Sequence, residues 1–258
     1  MNDISENLTD LIQFVLVETS HPGNIGAVAR AIKTMGFSKL ALVNPRLFPD
    51  AEATSRASGA NDVLEQAVVI STLDEALSDS EIIIGTSVRD RQITWPTFTP
   101  KETAQKIADR FTSNASGKVS IMFGRERTGL ENDELDKASW QVRIPANQEY
   151  NSLNLASAAQ IIAYELRCKL FDHKQVKSEL NQQSKLQQRQ RLATHEEMQS
   201  YYSHLESVLL RLEFIKVNPP TKLLRKISRL YNRADVSFEE LQILRGILTS
   251  IDKKLDLL

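Results

Sequence analysis

Unbroken apolar runs alternating with helical patterns constrain this chain more than any single motif does. Segments 14–17, 39–43, 68–70, 81–85, 119–123 and 142–144 read as strands. Several are too continuously apolar for a strand with one wet face, so they predict a parallel sheet covered on both sides. Helical spacing fills the gaps at 25–35, 73–77, 103–111 and 133–138, and Gly36 suits the turn beyond the first of these. The longest pattern of this half, 153–170, carries Ala156, Ala158, Ala159 and Ala163, which allow another backbone to come close. The class is α/β.

Composition changes after Phe171. The stretch to Glu197 is polar and rich in glutamine, and it reads as a linker. Helical spacing then returns at 199–215, 221–231 and 237–253, the last opened by Ser237 and Glu240 as a capping box. The expected organisation is an α/β domain over 1–171, a linker over 172–197 and a helical extension over 198–258. A chain with 41% hydrophobic residues can bury a sizeable core, and its net charge of -1 is silent about partners because local patches hide in a balanced total. Cys168, the single cysteine, excludes a disulfide framework and suits a reducing cytoplasm. No stretch reaches the roughly 18 apolar residues of a membrane span. The four histidines show no metal-ligand spacing, so no metal is expected.

Three segments carry the chemistry. In the first, an apolar run stops at a turn with Asn24 and Gly26, and a helix follows with Arg30 about two turns in. Such a junction sets backbone N–H groups and a cation at the carboxyl edge of a sheet; a turn glycine and a solvated arginine are the plainer reading. In the second, Gly124, Arg125, Glu126, Arg127 and Gly129 follow another strand, more charge than a solubility turn needs, although a salt-bridged loop would explain it. In the third, Tyr150, Asn151, Ser152 and Asn154 precede a helix, where a cap alone would account for one of them. Beside these, Gly85 and Thr86 end a strand where a flat ligand could reach backbone amides, and Arg89 and Arg91 suit phosphates. In the tail, Lys222, Lys226, Arg229 and Arg233 form one basic stripe, with no acidic residue between Glu213 and Asp235, which favours a polyanion.

Together the three segments resemble the signature motifs of the SPOUT RNA methyltransferases, in the branch that 2′-O-methylates ribose. The first motif is Asn24, Gly26 and Arg30; the second is Phe123, Gly124, Glu126, Gly129 and Leu130; the third is Ile144, Pro145 and the run from Ser152 to Ala156. The resemblance implies a trefoil knot, a homodimer with each site at the subunit interface, and S-adenosylmethionine as cofactor without a metal. It places the cofactor on Thr86, Ser87, Val88, Gly124, Ile144, Asn151, Ser152 and Leu153, with Arg30 as the catalytic arginine. Ser152, Glu126 or the RNA phosphate would take the proton, while Asn24, Arg89, Arg91, Arg125 and the tail stripe would face RNA. The wording of the first motif and of 244–248 points to the tRNA enzymes acting at nucleotide 32 of the anticodon loop. Another RNA, such as rRNA, and a non-catalytic RNA-binding protein are the alternatives.

Overall fold

The computed structural model describes residues 8–88, 95–112, 117–172, 191–215 and 221–257. Its centre is a seven-stranded sheet, parallel throughout, in the order β3-β2-β1-β6-β4-β7-β5. The strands are β1 (Ile12–Val17), β2 (Lys39–Val43), β3 (Val68–Ile70), β4 (Ser80–Thr86), β5 (Thr97–Phe98), β6 (Lys118–Phe123) and β7 (Trp140–Val142). All six residues of β1 are buried, as a central strand requires. Alternate residues go to opposite faces. On one side Phe14, Leu16, Leu42, Ile84 and Ile121 meet helices α1 (Pro22–Thr34), α5 (Pro100–Thr112) and α7 (Leu155–Asp172). On the other side Val15, Val17, Ile83 and Met122 meet α4 (Leu73–Leu77) and α6 (Asn132–Leu135).

Helices α2 (Ala51–Ala57) and α3 (Asn61–Glu65), and the two-residue β5, have no counterpart in the sequence reading. The inward residues of α2 are only Ala53 and Ala57, so no apolar stripe announces it. Strand β7 lies two residues earlier than 142–144. Trp140 and Val142 are buried, Val142 accepts a bond from the Ser87 N–H (3.2 Å), and beyond Arg143, which donates to the Phe98 carbonyl (2.9 Å), Ile144 lies in the loop.

Chain direction makes the site. From β1 the chain proceeds outward to β2 and β3, then crosses to build the other half from β4. The loops after β1 and β6 therefore diverge, and their strands are neighbours in register, with Phe14 opposite Ile121. A cleft at the carboxyl ends of such a pair is where open sheets bind ligands.

The C-terminal helices are α8 (His195–Arg211), α9 (Thr221–Asn232) and α10 (Phe238–Leu255), around a core of Met198, Tyr201, Val208, Leu241 and Leu248. Helix α8 begins four residues before 199 because Thr194 and Glu197 form a reciprocal capping box. The box at Ser237 and Glu240 opens α10 as expected. Of the polar stretch 172–197, residues 173–190 lie outside the described residues. Leu192 pairs with Ser237 and donates its N–H to Glu81 (3.2 Å), whose carboxylate also holds Arg110 at 2.7 Å. His195 Nε2 meets Asp74 Oδ1 at 2.7 Å, and Arg225 pairs with Asp136. The helical unit thus rests against the sheet domain along one polar seam. Among the described residues no helix is long and apolar enough to cross a membrane.

Candidate active site

Three side chains tie the three motifs into one structure. Asn154 Nδ2 donates to Asn24 Oδ1 (3.0 Å), and Asn24 Nδ2 donates to Glu126 Oε1 (3.0 Å). Glu126 also accepts from the N–H and hydroxyl of Ser20 (3.1 and 2.8 Å) and from the N–H of His21 (3.2 Å). These residues come from the loops after β1, β6 and β7, so the relay fixes the three loops relative to one another. Asn154 caps α7 as well, its Oδ1 accepting from the Ala156 N–H at 2.9 Å. Partial burial works against the charge of Glu126, yet the bonds from Asn24 and Ser20 outweigh it and hold its carboxyl down at about 2.

Two glycines let the loops approach. A Cβ on Gly124 would overlap the backbone of Gly129 and Leu130. Gly129 itself has φ +69°, the left-handed region that a side chain disfavours, and its N–H bonds to the Arg125 carbonyl at 2.8 Å. The glycine of the first motif serves packing: a Cβ on Gly26 would strike the carbonyl of Ala53 in α2.

The loops enclose a cavity of about 690 Å³. Thr86, Ser87 and Val88 line it from the end of β4, Gly124 from the end of β6, and Ile144, Asn151, Ser152 and Leu153 from the loop after β7. All eight positions expected to touch a cofactor thus share one wall system. Val142, Leu155 and Ile162 add an apolar side. The volume and the mix of apolar wall with a few polar groups are those of a small-molecule site. The Thr128 hydroxyl, on the same wall, is buried without a hydrogen-bond partner among the described residues. A molecule with a flat heteroaromatic ring and a polar chain fits this arrangement. Gly85, by contrast, is no ligand platform, since the space its side chain would occupy is filled by Leu135.

The remaining predicted residues fall into distinct settings. Ser152 is exposed at the cavity, with no hydrogen-bond partner among the described residues. Arg30 is exposed on α1 and does not line the cavity. Arg125 bonds Glu18 (2.9 Å) and Glu134 (3.1 Å), and those carboxylates push its pKa up, so it braces the loop after β6. Asn24 is engaged in the relay. Arg229 stacks over the ring of Trp95 at 4.3 Å, while Lys226 and Arg233 are exposed beside it. Lys222 belongs to the first turn of α9, and Arg89 and Arg91 lie outside the described residues. Among the wall residues not singled out as contacts, Arg127 and Thr128 are the polar ones. Arg127 is exposed and its side chain has no bonded partner among the described residues. Lying inside the second motif was their only sequence signal.

Comparison with known proteins agrees with this geometry. The SpoU rRNA methylase family matches residues 11–164, and the C-terminal domain of the tRNA methyltransferase TrmJ matches 196–257. A protein of Pseudomonas aeruginosa (strain UCBPP-PA14), tRNA (cytidine/uridine/adenosine-2′-O-)-methyltransferase TrmJ, is 44% identical over 248 residues, covering 95% of each chain. The tRNA (cytidine/uridine-2′-O-)-methyltransferase TrmJ of Sodalis glossinidius (strain morsitans) is 46% identical over 241 residues, covering 93% of this chain and 91% of its own. The crystal structure of TrmJ from Z. mobilis ZM4 superposes with a TM-score of 0.78 at 33% identity, covering 93% of this chain and 98% of that one. Matched along nearly its whole length, the chain belongs to the SpoU methylase family, in its TrmJ branch, and is a methyltransferase.

Proposed function

We propose that this protein transfers a methyl group from S-adenosylmethionine to the ribose 2′-hydroxyl of nucleotide 32 in the tRNA anticodon loop. The observation that carries the reading is the Asn154–Asn24–Glu126 relay, which gathers the three motifs around a cavity of cofactor size. The names of the relatives support tRNA over rRNA, and the basic face of α9 supports a polyanion. When bound, the cofactor supplies a methyl on a positively charged sulfur, which leaves as a neutral thioether once the ribose oxygen has taken the methyl. Thr86–Val88, Gly124, Ile144 and Asn151–Leu153 would hold it.

The protein's own task is to position the hydroxyl and manage its proton. Glu126 is a weak base at neutral pH, being ionised and already bonded by four donors. We assign it to organising the loops. The proton then leaves through the hydroxyl of Ser152 to solvent or to an RNA phosphate. A guanidinium is a poor base, so we assign Arg30 to stabilising the developing alkoxide or clamping the neighbouring phosphate. Because Arg30 stands off the cavity of its own chain, we assign it to the cavity of a second copy in a homodimer. The trefoil knot and the division at 171 and 197 belong to the same reading. Arg30→Ala is expected to abolish methyl transfer to tRNA while cofactor affinity, measured by calorimetry, stays within about twofold. Parallel loss of cofactor binding would contradict the role given to Arg30.

A further inference from the structure

Beyond the loop after β6 lies a second groove of about 910 Å³, between segment 128–137 and helices α8 and α9. It shares Thr128 and Leu130 with the cofactor-sized cavity, so one loop's width separates its occupant from the reacting centre. Glu131, Asp133 and Asp136 line one wall. The two cations present are already engaged, Lys137 with Asp74 at 2.6 Å and Arg225 with Asp136. Asp136 is spent on Arg225 and Glu131 stands 3.8 Å from Arg125, which leaves Asp133 as the carboxylate of this wall with no ion-pair partner among the described residues. Gln199, on the opposite wall, is exposed, and its side chain has no bonded partner among the described residues.

Phosphate is repelled by such a groove, whereas a base edge bearing an amine is attracted; carboxylates accept from exocyclic amines in nucleic-acid recognition. Helix α9 separates two environments. Its Arg225, Ser228 and Asn232 side faces this groove, and its Lys226, Arg229 and Arg233 side lines a smaller one of about 320 Å³ with Trp95. One face suits a base and the adjoining face suits the phosphates that flank it.

We propose that the groove beside the cavity receives an amino-bearing base, cytosine or adenine, of the substrate RNA. Asp133 accepts from the exocyclic amine, Gln199 pairs with the adjacent ring edge, and together they set the base preference of the enzyme. The proposal rests on the tRNA reading above. Its test compares Asp133→Ala and Gln199→Ala with the wild type on tRNA transcripts carrying C, A, U or G at the methylated nucleotide and at each neighbour. At one of these positions the ratio of kcat/KM for C over U is expected to fall about tenfold in either variant. Cofactor affinity, read by calorimetry, is expected to be unchanged. Equal losses on every transcript, or no loss, would overturn the base-binding role while leaving the methyltransferase reading intact. A wild type that methylates no tRNA transcript would instead overturn the substrate on which the proposal stands.

Discussion

At the scale of single residues, Glu126 shows how much of a motif position's setting depends on partners far away in the chain. A lone glutamate after a strand offers a base; its four donors, from residues about a hundred positions away, support the organising role proposed for it. Its depressed pKa has a stability consequence with a definite sign. A carboxylate stabilised in the folded state contributes fully above its unfolded pKa near 4.3, and the contribution is lost as pH falls toward about 2. Glu126→Gln is therefore expected to lower stability at pH 7 by roughly 1–2 kcal/mol. The gap to wild type should narrow between about pH 4.5 and 2, followed by denaturant unfolding. A gap independent of pH would contradict the ionised clamp. Arg125 was equally opaque in the sequence, because its partner Glu18 lies 107 positions away.

At the scale of elements, two helical glycines make opposite predictions. Gly26 touches α2 so closely that a Cβ would strike the Ala53 carbonyl, whereas Gly246 in α10 has nothing within 4 Å of where its Cβ would be. Gly26→Ala is expected to destabilise by about 1–3 kcal/mol through overpacking. Gly246→Ala is expected to stabilise by about 0.5–1 kcal/mol, because alanine loses less backbone freedom in a helix. Urea unfolding of the two variants checks both, and the same sign for both would contradict the packing described. These examples also mark how far elements can be read in advance. The long strands were legible because burial on both faces leaves unbroken apolar runs, as in β1 and β6. Helix α2 was not, since an alanine surface packed on Gly26 carries no periodic stripe. The two residues of β5 are too short to leave any pattern.

At the scale of the whole molecule, the order β1-β6-β4-β7 brings together loops that are far apart in the chain. Nothing local in the sequence dictates that order, which is why three motifs could be recognised but not assembled from periodicity alone. The helical unit is fixed to this frame by Glu81, Asp74 and Asp136, which sets α9 beside the site. If Arg30 serves a second copy, two inactive variants should complement each other. Arg30→Ala co-expressed with Ile144→Trp, which fills the cavity, leaves one intact site in each mixed dimer, so methyl transfer should return. Continued inactivity of purified mixed dimers would place Arg30 in its own chain's site. The central claim, ribose methylation of tRNA, is tested most directly with labelled S-adenosylmethionine and unmodified tRNA transcripts, followed by nuclease digestion and mass analysis. The account predicts a single 2′-O-methylated nucleoside mapping to nucleotide 32; cofactor binding without methyl transfer to any tRNA would contradict it.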